Sequence, residues 1–342
     1  MIRDLVIELI SPLILGGAEK GRCDAPPTLR PPSLRGQLRF WSRALGGKEL
    51  EERLWGTTET GQRIRILGAQ PLSKPGEAYL FPHKPQERKS RTDMIPPGER
   101  VLVRFALPSP DLLEPAQAAV WTWLHLGTVG RRSRRGYGAF VWEPQAGDLL
   151  EGFLPGGFDR GRDLAGPAEL AGYLSRGLDR VFAALGVPPE ASRSSRPSTG
   201  DFALRSPDQV FVGNRLTVAD GYQGDRRYRW HLERGVTALG PNDAGTSLES
   251  LLHGLDPGAR GDSDAPERKQ LGLPQPRLPS PMIWRLHPCS AGGHLPVMVW
   301  SPVDYPRGDY PQLHVARAAN LCRYLSESLG FGDSLAGNAL TV

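Results

Sequence analysis

Cysteine is scarce in this sequence, and its placement argues against metal or redox chemistry. The three cysteines, Cys23, Cys289 and Cys322, lie far apart, and none belongs to a CxxC pair. A zinc ribbon or a dithiol redox motif is therefore not expected. An odd number of distant cysteines also argues against a disulfide framework and is typical of the reducing cytoplasm.

The sequence also lacks long apolar runs and clustered acids. Residues 1–5 include an acid and no long apolar stretch follows them, so neither a signal peptide nor a membrane-spanning segment is predicted. No group of Asp and Glu with two-metal spacing lies near the basic residues. We expect a cytoplasmic protein without a metal or an organic cofactor.

Basic charge is present, and most of it is arginine. The chain has 42 Lys+Arg against 37 Asp+Glu, for a net charge of +5, and few of the basic residues are lysines. The planar guanidinium suits phosphate, so this balance favours a nucleic-acid partner. A GC-rich or thermophilic genome would also raise the arginine content. Only clusters of arginine are therefore informative.

The strongest cluster is a glycine-rich loop at residues 127–138. It contains four glycines and Arg131, Arg132, Arg134 and Arg135. Glycines allow close backbone approach and expose N–H groups, and arginines add forked donors, so the pattern predicts a flexible loop that holds a polyanion. A solvated, mobile turn is the alternative. The loop follows a predicted helix and precedes a strand, which is the reverse of the dinucleotide and P-loop templates.

A second cluster lies on a predicted helix at residues 33–45, for which Ser33 is a candidate N-cap. Its apolar face has three-four spacing and comprises Leu34, Leu38, Trp41 and Leu45. Another face carries an arginine stripe, which we define as Arg35, Arg39 and Arg43. Like charges four residues apart repel, so a shared anion would relieve the strain. Acids supplied from elsewhere in the chain would do the same.

The order of elements predicts an α+β fold. In the first half we expect a long insertion at residues 76–97 and the order strand, helix, strand, strand, helix, strand, at residues 3–10, 33–45, 63–69, 99–107, 115–125 and 139–142. A short second helix at 48–55 follows the first. This βαββαβ order is that of ferredoxin-like, RRM-like domains.

The second half predicts a further, degenerate ferredoxin-like unit. A Gly/Pro-rich junction at residues 144–162 divides the chain into domains 1–150 and 151–342. Beyond it we expect helices at 167–186, 248–252 and 315–329, and strands at 201–204, 209–212, 282–286 and 295–300. Residues 226–231 interleave basic and aromatic side chains, which suits RNA stacking or an ordinary surface strand.

Several segments together resemble one family. They are PLILGG at residues 12–17, LRPPSLRGQLRFW at 29–41, LWG at 54–56 and the loop at 130–138. A weaker match lies at 271–282. These motifs are similar to those of the RAMP superfamily of CRISPR effector proteins, and within it to the subunits of type III-B (Cmr) complexes. Trp55, where Phe is usual, and the LGTVG run depart from the pattern.

The resemblance implies two tandem ferredoxin-like domains in a ribonucleoprotein. It implies binding of the 3′ part of the guide RNA (crRNA) and of target RNA, together with other Cmr-complex subunits, in antiviral defence. It also implies a non-catalytic role. We assign the RNA contacts to Arg30, Arg35, Arg39, Arg43, Gly130, Arg131, Arg132, Arg134, Arg135, Gly136 and Tyr137.

Two other functions stay open at this point. Some RAMP relatives cleave RNA without metal, which needs a base near the 2′-hydroxyl and an acid near the leaving oxygen. His125, just before the loop, and Tyr137, within it, are the candidates here, although Tyr137 could equally stack a base. A scaffold without RNA contact is the other function. His287 and His294 flank Cys289, but the turn-like sequence between them argues against a metal site.

Overall fold

A computed structural model of the chain describes residues 1–19, 21–69, 71–73, 75–79, 91–131, 133–134, 136–154, 164–187, 198–199, 202–214, 273–274, 277–278, 282–301, 303–304 and 335. Helices and mostly antiparallel sheets make the architecture α+β, as predicted. None of the described helices is long and apolar enough to cross a membrane.

The first half builds a four-stranded sheet and two helices. Its elements are β1 (Ile2–Leu9), α1 (Pro31–Trp55), β2 (Arg65–Ala69), β3 (Gly76–Tyr79), β4 (Arg91–Met94), β5 (Arg100–Ala106), α2 (Leu113–Leu126), preceded by a 3-10 turn at Pro110–Leu112, and β6 (Phe140–Glu143). The strand order is β2-β5-β1-β6, and each pair is antiparallel. Apart from the β3–β4 hairpin, this is the βαββαβ arrangement predicted for the first half.

Helix α1 starts earlier and runs further than the sequence suggested. It begins at Pro31, with Arg30 rather than Ser33 as the N-cap. Proline suits the first helical position because its missing N–H would have no partner there. The two predicted helices are continuous except for a kink, where Gly46 and Gly47 have non-helical angles. The predicted apolar face is buried.

The predicted insertion at residues 76–97 is partly regular. Strands β3 and β4 pair antiparallel at its two ends, from Gly76↔Met94 to Tyr79↔Arg91. Asp93 links this hairpin to the segment before α1, because its carboxylate accepts hydrogen bonds from the Arg22 guanidinium and the Cys23 N–H at 3.0 Å each. The two ends of the predicted insertion are therefore regular strands.

The second half contributes one long helix and short strands. They are α3 (Pro167–Leu185), β7 (Ser198–Thr199), a 3-10 turn at Pro207–Gln209, β8 (Val210–Val212), β9 (Leu273–Pro274), β10 (Arg277–Leu278), β11 (Met282–Pro288), β12 (His294–Trp300) and β13 (Val303–Asp304). An antiparallel sheet has the order β11-β12-β8, β9 pairs with β10, and β13 pairs parallel with β7.

One predicted strand of the second half is wrong. Residues 202–204 form no strand; instead, the Leu204 N–H donates to the Ala44 carbonyl of α1 at 2.8 Å. The segment thus packs on the first half rather than in a sheet of its own. The predicted helices at 248–252 and 315–329 and the basic-aromatic stretch at 226–231 lie outside the described residues, as does most of the 188–199 linker.

The two halves share one hydrophobic core. A single cluster of buried apolar side chains includes Leu5 of β1, Trp121 of α2, Leu174 of α3 and Val297 of β12. Helices α2 and α3 approach so closely at Gly177 that a β-carbon there would lie 1.8 Å from Cζ2 of Trp121. The division at residue 150 stays a prediction.

Candidate nucleic-acid interface

The glycine-rich loop is held by main-chain hydrogen bonds. The N–H groups of Arg131 and Gly138 donate to the carbonyls of Ile14 and Pro12, both at 2.8 Å. The Gly136 N–H donates to the Trp284 carbonyl of β11 at 3.1 Å, and the Trp284 N–H donates to the Arg134 carbonyl at 3.2 Å. Because these loop N–H groups have carbonyl partners, the prediction that they hold an anion is wrong for them.

The glycines of this loop allow close packing. Gly138 has a φ of +64°, and a β-carbon there would lie 1.9 Å from the Val129 carbonyl oxygen. Gly130 has a φ of +88°, and its β-carbon would lie 2.6 Å from the Ile14 carbonyl oxygen. A positive φ and close approach both favour glycine. Gly136 also has a positive φ, +80°. These glycines therefore shape the loop, and its hydrogen-bonded main chain argues against the predicted flexibility.

The loop arginines differ in their surroundings. Arg131 is exposed, and its side chain has no ion pair or hydrogen bond within the described part of the chain. The guanidinium of Arg134 lies over two rings, 4.9 Å from the Phe40 centroid and 5.7 Å from the Phe202 centroid. Arg134 therefore joins the loop to α1 and to the second half by cation–π contact. Arg132 and Arg135 lie outside the described residues.

Tyr137 does not lie where a base could stack on it. Only 3% of its surface is exposed, and it is buried beside Gly136 and Gly138. Base stacking needs an accessible ring face. The interpretation of Tyr137 as a stacking platform is therefore wrong for this conformation.

Two members of the arginine stripe share an acid from the same helix. Beyond the kink, the carboxylate of Glu51 accepts from Nε of Arg39 and Nε of Arg43, both at 2.6 Å. Burial opposes ionisation of Glu51, but the hydrogen bonds from Arg43 and Arg39 outweigh it and lower the pKa of this carboxyl. The repulsion is thus relieved within the chain, which is the alternative that the sequence left open.

Arg35 of α1 and Arg30, the N-cap of that helix, also have local partners. Arg35 donates to Oε1 of Gln62 at 3.0 Å. Arg30 donates to the Gly16 carbonyl at 3.1 Å and lies 3.4 Å from the Asp24 carboxylate. Both side chains remain on the outside of the molecule. A phosphate could therefore still reach them.

His125 is a buried structural residue. Its Nδ1 lies 2.8 Å from the Trp121 carbonyl, its Nε2 lies 2.7 Å from the Tyr173 hydroxyl, and its ring stacks on Trp121. Burial lowers its pKa to about 3, so the imidazole is neutral at pH 7. With both ring nitrogens bonded and the ring only 4% exposed, it cannot reach an RNA hydroxyl in this structure.

The His287–Cys289–His294 group makes no metal site. His287 pairs with Leu295 across β11 and β12, and the Cys289 thiol donates to the Ala165 carbonyl at 3.3 Å. In the part of the chain that the structure describes, no three His, Cys, Asp or Glu side chains are placed to hold a metal ion.

Sequence reasoning missed Arg285, which lies under the loop. It is 1% exposed in β11, and its guanidinium donates to the carbonyls of Leu124, Gly127 and Phe140. The available signal was an arginine in the middle of the apolar strand at 282–286. Glu51 was missed as well, because the predicted break at Gly46 placed it on a separate helix.

The first half of the chain matches a known protein family. Residues 6–141 match the family model of the RAMP superfamily. This span runs from β1 to β6 and contains the glycine-rich loop and the arginine stripe. Over these residues the chain is therefore similar to the RAMP superfamily, as its motifs indicated.

Particular relatives narrow the class. The chain is 29% identical over 235 residues to CRISPR system Cmr subunit Cmr1-1 of Pyrococcus furiosus, covering 61% of this chain and 67% of the relative. It is 24% identical over 173 residues to Cmr1-2 of that organism, covering 39% and 90%. The apo crystal structure of Cmr1 from Pyrococcus furiosus matches with a TM-score of 0.54 at 20% identity, over 96% of this chain and 97% of that one. The chain is thus similar to Cmr1 in sequence and in fold.

Proposed function

We propose that this chain is an RNA-binding, non-catalytic subunit of a type III-B CRISPR (Cmr) effector complex. In this role it contacts the 3′ region of the crRNA and the target RNA, and it assembles with other Cmr subunits. The relatives from Pyrococcus furiosus are named as subunits of a CRISPR Cmr system, which supports this assignment.

The observation that carries the proposal is the glycine-rich loop inside the RAMP-matched residues. Its main chain is fixed by hydrogen bonds to Pro12, Ile14 and Trp284, and it exposes the Arg131 side chain. A fixed loop loses little conformational freedom on binding, and an exposed guanidinium forms strong bonds to phosphate oxygens. RNA is therefore held by arginine side chains rather than by a cradle of glycine N–H groups.

The arginine stripe extends the same surface. Phe40 lies on α1 next to Arg39 and stacks with Arg134 of the loop, so the loop and the stripe meet there. Glu51 holds Arg39 and Arg43 through their Nε atoms. This geometry orients both guanidinium groups on the helix surface. Together with the Glu51 carboxylate, the two arginines carry a net charge of +1.

A non-catalytic role is supported by the state of the candidate acid–base groups. His125 has partners for both nitrogens, and Tyr137 is buried. A metal-independent ribonuclease would need a base or an acid that reaches the RNA. Neither candidate from the sequence does so in the described structure.

The second half completes the proposed architecture as a degenerate ferredoxin-like domain, with a boundary near residue 150. Its support is helix α3 beside the antiparallel β11-β12-β8 sheet. Two such units in tandem, sharing one core, offer a longer surface for RNA than one unit alone.

Salt-dependent binding of single-stranded RNA by the full chain tests the proposal. Each phosphate contact contributes about one unit to the slope of log K against log salt, less for single strands. Arg131→Gln should weaken binding and reduce this slope by about one unit. Arg104→Gln is the matched control, because Arg104 is already paired with Asp4 through two bonds at 2.7 and 2.8 Å; its slope should not change.

The same RNA, incubated with the chain with and without Mg²⁺, should stay intact. Specific cleavage that is lost in His125→Ala would overturn the non-catalytic assignment. Normal assembly with other Cmr subunits, but no RNA binding by the chain or by the assembled complex through it, would indicate a scaffold instead.

A further inference from the structure

Arg285 of β11 is a buried cation outside the RAMP-matched residues. Its side chain is almost fully enclosed, and no carboxylate of the described residues forms an ion pair with it. Burial lowers the pKa of Arg285 to about 9, which still leaves the group protonated at pH 7. A buried charge without a counter-ion is costly, so its partners should explain its presence.

Arg285 donates to four carbonyl groups, and three of them lie at the two ends of the glycine-rich loop; the fourth belongs to Leu286, the next residue of β11. Leu124 and Gly127 lie at the end of α2, where the loop starts, and Phe140 is the first residue of β6, where it has ended. The C-terminal carbonyls of a helix carry partial negative charge, which favours a cation there. One guanidinium therefore joins the two ends of the loop.

The residue beside it holds the tip of the loop. The Trp284 main chain pairs in both directions, donating to the Arg134 carbonyl at 3.2 Å and accepting from the Gly136 N–H at 3.1 Å. Strand β11 thus contacts the loop at its ends through a side chain and at its tip through the backbone. These contacts come from the second half, although the loop belongs to the first.

Among the described residues, the surroundings of Arg285 add no competing charge. Burial lowers the pKa values of His125 and His287, and the nearby charge of Arg285 lowers them further. Both imidazoles are therefore neutral at pH 7. The Phe140 ring lies 5.6 Å from the guanidinium carbon. Among these groups, Arg285 is thus the one that is charged at pH 7.

We propose that Arg285 is a positioning residue that fixes the glycine-rich loop in its RNA-binding conformation. It does not touch RNA itself. Its action on RNA rests on the proposed function, whereas its action on the loop does not. A positioning residue should change affinity without changing the number of phosphate contacts. Its loss should therefore lower RNA affinity and leave the salt slope unchanged, which separates it from Arg131.

Two substitutions and two measurements test this role in the full chain. Arg285→Met keeps much of the side-chain volume but removes every donor, and Arg285→Lys keeps the charge but not the fork that reaches three carbonyls. Hydrogen–deuterium exchange at residues 127–139 should accelerate by about tenfold or more in Arg285→Met, and less in Arg285→Lys. RNA affinity should fall by about tenfold in Arg285→Met at a constant salt slope.

Arg131→Gln is the matched control, with the opposite signature: a lower salt slope and unchanged exchange in the loop. If Arg285→Met leaves loop exchange unchanged, the proposal is wrong. If exchange rises but affinity does not fall, or the salt slope falls, the link to RNA is wrong while the proposed function stands. If the wild-type chain binds no RNA, the proposed function fails, and the exchange data still decide whether Arg285 fixes the loop.

A further test uses the wild-type chain alone, so it does not depend on whether a variant folds. If β11 holds the loop, the Gly136 and Trp284 amides should exchange at similar, slow rates, because they open together. A Gly136 amide that exchanges more than about a hundredfold faster than Trp284 would overturn the proposal.

Discussion

The arginine stripe and the glycine-rich loop carry similar charge but are built differently. On α1, Arg39 and Arg43 share the buried carboxylate of Glu51 and Arg35 has Gln62, so the side chains themselves are held. In the loop the main chain is held instead, and the Arg131 side chain is left exposed. Basic clusters that look equivalent in sequence can therefore differ in whether the backbone or the charge is fixed.

This contrast has consequences for binding. A guanidinium already bonded to a carboxylate must share its donors with a phosphate, so it contributes less to affinity than a free one. A fixed main chain with a free side chain keeps all donors available. We therefore expect the loop to dominate RNA affinity and the stripe to modulate it.

The largest expected effect tests whether the loop backbone is fixed. In Gly138→Ala the new β-carbon would overlap the Val129 carbonyl oxygen, and the positive φ adds strain. We expect a loss of more than about 3 kcal/mol in the free energy of unfolding, measured by chemical denaturation.

Gly147→Ala is the matched control for that change. Its φ is also positive, +78°, but nothing lies within 4 Å of a β-carbon there. It should lose only about 1 kcal/mol. Equal losses in the two variants would show that the loop is not closely packed.

As the pH falls, the free energy of unfolding should first fall because of the buried histidines, and only at lower pH because of Glu51. The pKa of His125 is about 3 in the folded chain, and that of His287 is also far below 6.5. Below pH 6.5 the unfolded chain therefore binds protons that the folded chain does not, so the free energy of unfolding falls as the pH falls. The limiting slope is about 1.4 kcal/mol per pH unit for each histidine.

Glu51 titrates lower. Because its folded pKa is lowered below 4.5, its stabilising effect is lost only as the pH falls below that value. Between pH 6.5 and 5, the pH dependence of the free energy of unfolding should thus come from the histidines. His125→Gln should reduce the slope of that dependence. A slope that is flat above pH 5 in the wild-type chain would contradict the buried, neutral state of His125.

A smaller effect is expected when the stripe loses its acid. Glu51→Gln removes the negative charge beneath Arg39 and Arg43, so the free energy of unfolding should fall by about 1 kcal/mol, since both arginines are partly exposed. RNA affinity should rise a few-fold if these arginines contact RNA. Glu52→Gln is the control, because Glu52 pairs with the exposed Lys48 at 3.4 Å. Unchanged RNA affinity in Glu51→Gln would remove Arg39 and Arg43 from the interface.

The smallest effect concerns Arg35. Arg35→Gln removes one exposed hydrogen bond from the charged guanidinium to the neutral Gln62 amide, so the free energy of unfolding should change by less than about 0.5 kcal/mol. Its RNA salt slope should fall by less than that of Arg131→Gln, measured under the same conditions. A larger fall for Arg35 would reverse the ranking of stripe and loop.

Local pattern predicted most of the first half correctly. Alternating apolar residues located β1 and β5, and three-four spacing located the buried face of α1. The errors arose where neighbouring residues overrode a local sequence rule. Ser33 is a good cap, but the prolines before it already suit the first helical turn, and Gly46 interrupted a helix that resumes.

By itself, the sequence determined the α+β class, the βαββαβ order of the first half and the position of the glycine-rich loop, because side-chain periodicity and glycine content are local properties. Only the tertiary structure decided the partners: Glu51 for the stripe, Arg285 and Trp284 for the loop, and Tyr173 for His125. The contacts of Arg285, Trp284 and Tyr173 join residues that are distant in the chain, and they depend on how the two halves pack, which no spacing rule encodes. Glu51 meets Arg39 and Arg43 within one helix, but only because of the kink at Gly46 and Gly47.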